Sequence, residues 1–513
     1  MEVFHNLLMG FSIAITPLNL LFALFGVLAG TIIGALPGIG PPTGVAILMP
    51  LTFGMNPTTA MIMLAGIYYG AMYGGTITSV LINVPGESSS VMTAVEGYQM
   101  ALKGRAGVAL GIATIGSFVA GTFGVILLTL ISPILAEFAL KFGPPQYFAL
   151  MFLGLVTLTS LSGGNSVKGF MMTLIGLLLA MVGMDSITGR PRFIMGNLQL
   201  LNGFDFLPAA MGLFGISEVL VTMEGPMKME MQKASLKFKD VWPKAADWAA
   251  SKWAIVRGTV VGFAIGILPG AGATLASFGS YAVEKKFSKH PEEFGHGAIE
   301  GVAGPESANN SASAAAMVPL LTLGIPSSAT TAILMGAMMM YGLRPGPLLF
   351  DTNPDLVWGL IASMYIGNVI LVIMNIGMIP AFVSVLRTPI SILMPLIVVF
   401  TLVGSYSANN NLFDVWVMLG FGIAGYFMRK FGYPPAPIVL ALVLGSNTER
   451  TLRQSLMMSR GSLGIFFSEP IVVTLMTVTL VILIAPVIGM VMKYARNRRT
   501  PGGAQAGGGT GEA

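Results

Sequence analysis

The chain has 513 residues, 54% hydrophobic and 10% charged, with a formal net charge of +5. Soluble domains carry about a quarter charged residues, so a water-soluble globule is excluded and lipid must solvate much of this surface. Cysteine is absent, which excludes a disulfide framework and any Cys-based metal site.

Residues 3–86 contain no Asp, Glu, Lys or Arg. The same holds for 106–136, 142–167, 258–283, 307–343, 356–386, 388–413 and 470–492. A spanning helix needs about 20 mostly apolar residues, so each long stretch can hold one or two spans. Strand alternation is absent, which argues against a membrane barrel. The expected fold is an all-α polytopic membrane protein with about 10–12 transmembrane helices. Met1 to Leu20 lacks the basic region and small-residue cleavage site of a signal peptide.

The first notable element is GTIIGALPGIG at 30–40. It returns as GFAIGILPGAG at 262–272, with Gly30, Gly34, Pro37, Gly38 and Gly40 matching Gly262, Gly266, Pro269, Gly270 and Gly272. A second pair sets LINVPGESSSVMTA (81–94) against LTLGIPSSATTA (321–332), with Pro85 opposite Pro326. A looser third pair is KFGPPQYFALMFLG (141–154) and KFGYPPAPIVLALVLG (430–445). The order is the same in both halves, which predicts two internal repeats, expected to be inverted. The domain reading is 1–225 first membrane repeat, 226–257 basic linker, 258–492 second membrane repeat, and 493–513 a basic, Gly-rich disordered tail.

Each copy is expected to contain a broken or re-entrant helix. Proline removes a backbone donor and clashes with the preceding turn, and glycine permits non-helical backbone. Within the hydrocarbon such breaks persist only where protein or a water-filled cavity surrounds them. Paired breaks in two repeats are how transporters build a midplane site: half-helix N-termini attract anions and freed carbonyls hold a cation. Gly-xxx-Gly is also a helix-packing motif, and packing and breakage can share a segment.

Polar residues gather at the same places. Asn83, Glu87, Ser88, Ser89 and Ser90 surround Pro85-Gly86, and Ser327 and Ser328 follow Pro326. The run GPESANNSASAAA (304–316) holds Glu306, Asn309, Asn310, Ser311 and Ser313. As a helix it sets Glu306, Asn309, Asn310 and Ser313 on one face. Carboxylate and amide oxygens suit a hard cation, and amide and hydroxyl donors suit a carboxylate. The candidate substrate- or ion-binding set is Pro37, Gly38, Gly40, Asn83, Pro85, Gly86, Ser88, Ser89, Pro269, Gly270, Gly272, Glu306, Asn309, Asn310, Ser311, Pro326, Ser327 and Ser328. Tyr68, Tyr69 and Tyr73 read as aromatic packing or interface anchors.

The segment 225–257 carries Lys228, Lys233, Lys237, Lys239, Lys244, Lys252 and Arg257, and the tail carries Lys493, Arg496, Arg498 and Arg499. The positive-inside rule places both in the cytoplasm, which leaves no reason to invoke nucleic acid. Catalytic residues are not predicted. His5, His290 and His296 make no H-E-x-x-H pair, and neither a G-x-S-x-G elbow nor a Walker motif occurs. No cofactor and no resident metal are expected. A passive anion channel, an intramembrane enzyme and a membrane scaffold are the alternatives to a transporter.

At GALPGIGPPTG (34–44), YGGTITSVLINVPGESSSVMTAVEGYQM (73–100), PESANNSASAAAMVPLLTLGIPSSATTAILMGA (305–337) and YGLRPGPLLF (341–350) the sequence resembles the large membrane subunit of the tripartite tricarboxylate transporters. The resemblance implies a permease working with a small four-helix membrane subunit and a periplasmic solute-binding protein in the bacterial inner membrane. It implies symport of carboxylates, citrate-like or other organic acids, driven by a Na+ or H+ gradient. Ser311, Ser313, Ser327 and Glu87 depart from the family's pattern, which leaves the substrate open.

Overall fold

The computed structural model describes residues 1–36, 39–161, 166–185, 187–224, 241–268, 272–378, 382 and 390–499. Pro37, Gly38, Pro269 and Gly270, most of the basic linker before residue 241, and the tail after residue 499 lie outside the described residues. Among the described residues the chain is almost wholly helical. The one sheet is a two-stranded hairpin pairing Gly183–Met184 with Pro191–Arg192.

The first half runs α1 (Glu2–Ala14), α2 (Pro17–Ala35), α3 (Pro41–Leu48), α4 (Pro57–Ile82), α5 (Val91–Leu102), α6 (Ala106–Ala139), α7 (Pro144–Leu161), α8 (Ser166–Ala180) and α9 (Phe206–Glu224). The second half runs α10 (Ala245–Gly266), α11 (Gly272–Phe287), α12 (Glu300–Ala315), α13 (Met317–Leu323), α14 (Ala329–Met340), α15 (Pro354–Gly377), α16 (Ile390–Asn409), α17 (Leu412–Lys430), α18 (Ala436–Met458) and α19 (Pro470–Arg499). Residues 245–257, assigned to the linker by their charge, form the first turns of α10. The last helix likewise continues past residue 493 to Arg499.

Seven of the described helices, α2, α4, α6, α9, α15, α16 and α17, are long and apolar enough to cross a membrane. Shorter apolar helices cover Ser166–Ala180, Ala329–Met340 and Pro470–Ile484. α4 has its whole apolar window buried inside the protein, whereas α16 and α17 bury only 28% of theirs. The centre of the bundle is therefore α4, and α16 and α17 lie at its margin. Exposed Leu, Ile, Val and Phe on the marginal helices, such as Val399, Val403 and Ile423, are what lipid contact requires.

Glycines set the closest approaches. Gly26, Gly30 and Gly34 of α2 lie against the backbone of Met63, Ile67 and Ala71 in α4. A Cβ added at Gly30 would stand 2.4 Å from the Ile67 carbonyl oxygen. In the second half Gly258, Gly262 and Gly266 of α10 lie in the same way against Gly304, Ala308 and Ala312 of α12, and a Cβ at Gly262 would stand 2.3 Å from the Ala308 oxygen. Both contacts rise together in number, so α2 runs parallel to α4 and α10 parallel to α12. Small residues every fourth position let the two backbones touch, which is the packing force available where lipid removes the hydrophobic drive between helices.

The directions of these two pairs follow from their neighbours. α15 runs alongside α4, pairing Gly359 with Thr58 and Gly367 with Tyr69. It runs against α6, pairing Tyr365 with Thr129 and Asn368 with Gly121. α6 runs with α12, pairing Gly116 with Ser307 and Gly124 with Ala314. The α2–α4 pair therefore points opposite to the α10–α12 pair.

Candidate functional site

α4, and α13 directly after α12, each end in a left-handed residue before a break. α4 stops at Asn83 (φ 55°) and α13 at Gly324 (φ 67°). Asn and Gly are the residues that adopt this conformation with least strain. Asn83 is exposed and serves as this terminator. Pro85 and Pro326 follow, removing the next donors, and the chain restarts as helix at Val91 and Ala329. The other two breaks separate α2 from α3 and α10 from α11.

These four breaks meet. Gly40, at the start of α3, lies against Glu87, with 3.7 Å between an added Cβ and the Glu87 Cβ. Gly272, at the start of α11, lies against Ser328, 3.9 Å by the same measure. Ser88 Oγ and Thr274 Oγ1 are 2.7 Å apart, tying the first break to α11. Tyr68 of α4 reaches toward Ser328 and lies near Glu87. The N-termini of α3, α5, α11 and α14 are thus gathered round one place. Ser328 caps α14 by accepting from Thr331 N at 3.2 Å, while its own N–H donates to Thr331 Oγ1 at 2.9 Å.

α12 supplies the polar wall. Every residue from Gly301 to Ala315 is buried, so this run is not a solvated helix start. Its side chains divide four ways. Asn309 Nδ2 reaches Glu87 Oε1 at 3.5 Å, and Ser89 Oγ also donates to Glu87. Glu306 accepts from Thr76 Oγ1 of α4 at 2.8 Å and from Thr93 Oγ1 of α5 at 2.5 Å. Asn310 Nδ2 donates to Ser117 Oγ of α6 at 2.7 Å. Ser311 turns the other way and donates to the Thr259 carbonyl of α10 at 2.8 Å.

Several buried polar atoms here are left without partners among the described residues: Asn309 Oδ1, Ser327 Oγ and Ser90 Oγ. Buried polar groups are almost always hydrogen-bonded, so these unpaired donors and acceptors at a junction of helix ends are free to take a ligand. Gly86 stands apart from this role. It packs on Gly34 and Gly75, where an added Cβ would meet the Gly34 oxygen at 2.0 Å.

The structure brings together Gly40, Ser88, Ser89, Gly272, Asn309 and Ser328, with Ser327 between Pro326 and Ser328. Glu306 and Asn310 sit one layer away, against α4, α5 and α6. Asn83, Gly86 and Ser311 have structural contacts instead. Thr76, Thr93 and Thr274 are not among the candidates from the sequence, and Tyr68 reads there only as aromatic packing or an interface anchor. Each is an isolated hydroxyl in an apolar or Gly-rich helix, and only the packing places it beside a carboxylate or a break. α5 is held in position by Glu96, which accepts from the N–H groups of Gly295, Gly297 and Ala298 at 2.5, 2.7 and 2.9 Å, and from the Tyr281 hydroxyl at 2.6 Å.

Residues 20–440 match the model of the Tripartite tricarboxylate transporter TctA family. The chain belongs to this family. A protein of Agrobacterium vitis, described as an uncharacterized 52.8 kDa protein in the TAR-I ttuC' 3' region, is 48% identical over 480 residues, covering 94% of this chain and 95% of that protein. A second, described as an uncharacterized protein in the TAR-II ttuC' 3' region of the same organism, is 49% identical over 223 residues, 44% of this chain and 92% of that protein. No solved structure matches. As a TctA family member the chain is a multi-pass membrane transporter subunit, and the segments matched contain all four breaks and α12.

Proposed function

We propose that this chain is the permease subunit of a secondary transporter that imports organic carboxylates, driven by a Na+ or H+ gradient. A periplasmic solute-binding protein delivers the substrate and a small four-helix membrane subunit completes the complex. The observation that carries this reading is the gathering of four helix N-termini beside unpaired Ser327 and Asn309 atoms. N-terminal amides carry partial positive charge and favour a carboxylate without a fixed cation. A site built this way binds weakly enough to release its cargo.

The two halves are an inverted pair in this proposal. The opposite directions of the α2–α4 and α10–α12 contacts support it, as does the constant spacing of 232 residues between their glycines. Alternating access then needs only a rocking of one pair against the other around a shared site. The Lys-rich linker between the halves and the basic C-terminal end face the cytoplasm of an inner-membrane protein.

Uptake of labelled organic acids by cells carrying all three subunits tests the proposal. Asn309→Ala should reduce uptake at least tenfold at unchanged membrane abundance, because it removes the one amide shared between α12 and the break. Uptake equal to wild type would remove this place from the pathway.

A further inference from the structure

Next to Thr76, which bonds Glu306, a small, partly open void of about 10 Å³ lies at the junction of α4, α6 and α15. That is about the volume one water or a small ion occupies. Five oxygen-bearing side chains line it: Tyr73, Thr76, Thr114, Ser117 and Asn375. We propose that this void is a binding site for a Na+-sized monovalent cation. The inference rests on the transporter reading above and assigns that transporter's coupling ion to residues outside the substrate site.

Three observations converge. The first is charge. Glu306 is fully buried, and its partners are the Thr76 and Thr93 hydroxyls, with no Lys, Arg or His among the described residues that bond it. An intramembrane carboxylate without a counter-ion is expensive, and one positive charge nearby offsets it.

The second is the state of the lining oxygens. Thr76 uses its proton on Glu306, so its lone pairs are left for the void. Ser117 donates to the Glu306 carbonyl at 3.4 Å and accepts from Asn310 at 2.7 Å. Asn375 spends its amide N–H on the Leu371 carbonyl at 3.0 Å, which leaves its oxygen for the void. These are hard, neutral oxygen donors next to one buried carboxyl group, the set a hard monovalent cation takes. The third is the Tyr73 hydroxyl, 3% exposed for the residue as a whole and without a partner among the described residues. A phenol oxygen left unpaired in a helix core has no structural use there.

The site is one helical turn from the cargo. Glu306 and Asn309 are three residues apart on α12, and Asn309 reaches Glu87 at the break. A cation that fixes Glu306 against α4 and α5 also fixes the helix that carries Asn309. Filling the void would thus favour the conformation that holds substrate, which is how two ligands come to bind cooperatively.

Purified full-length protein, titrated with NaCl against choline chloride at constant ionic strength and constant pH, tests the site apart from transport. The wild type should gain thermal stability saturably with NaCl. Tyr73→Phe and Thr114→Val should each raise the half-saturating NaCl at least tenfold. In choline chloride Tyr73→Phe should melt at or above wild type, since the hydroxyl it removes has no partner. No NaCl-dependent shift in the wild type, stabilisation by lowered pH alone, or variants that titrate like the wild type would each overturn the proposal, the first leaving the void to a structural water. A normal NaCl titration in a protein that moves no carboxylate would leave the site standing and remove the transport reading. Sodium-driven uptake unaffected by both variants would do the reverse.

Discussion

Asp185 closes the turn of the one hairpin, accepting from Ile187 N at 2.9 Å and from Thr188 Oγ1 at 2.8 Å. Arg453 Nη1 of α18 donates to both of the Asp185 carboxylate oxygens, at 2.9 and 2.8 Å. The Arg453 guanidinium, first, and the turn's own donors hold the Asp185 carboxyl well below the usual carboxylate range. A carboxyl lowered by folding contributes stability that is complete above the unfolded value of about 4 and is lost as pH falls toward the lowered value. Hydrogen exchange of the hairpin amides, corrected for intrinsic rates, should therefore speed up below about pH 4, and Asp185→Asn should show the fast rates at neutral pH. Identical protection in the two proteins would contradict this. The sequence places Asn309 and Ser311 together as polar residues of one motif, but 100° per residue on a helix separates them, and only the neighbours decide which one faces a break. Hydroxyls such as Thr76 and Thr93 are illegible for the same reason: their role lies in a carboxylate more than two hundred positions away.

At the scale of elements, the Gly-Pro signatures were legible because they act locally. A proline and a left-handed terminator end a helix whatever surrounds it, as Asn83 with Pro85 and Gly324 with Pro326 do. What the signatures could not specify was the partner of each glycine stripe, which the α2–α4 and α10–α12 contacts supply. These contacts predict a matched pair of outcomes. Gly30→Ala and Gly262→Ala each force a methyl group into a backbone carbonyl, and overpacking of this kind costs about 1–3 kcal/mol. Both should lower the thermal midpoint clearly. Gly420→Ala, which meets nothing within 4 Å, should leave it unchanged or raise it. Equal behaviour of all three would mean that the stripes do not hold the helices together.

For the whole molecule, the fold class was written in the charge-free stretches, since a bilayer constrains composition over about 20 residues at a time. The direction of each half was not, because a parallel and an inverted duplication share the same hydropathy. The packing order α2, α4, α15, α6, α12 carries that information. The chain lacks cysteine, so single cysteines report one position each. Replacements at Asn56 and Asn353, at the starts of α4 and α15, should label from one side of the membrane. Replacements at Lys103 and Lys244, near the starts of α6 and α10, should label from the other. Labelling of Asn56 and Lys244 positions from the same side would rule out the inverted arrangement.

Transport itself decides the account. The permease, reconstituted into liposomes with its small membrane subunit, would be supplied with the solute-binding protein and a labelled organic acid under an imposed Na+ or H+ gradient. A carboxylate permease of this kind should show saturable accumulation that requires the binding protein and collapses when the gradient is dissipated. Flux that proceeds without binding protein or gradient would make this a channel, and no flux of any organic acid would contradict the carboxylate permease outright.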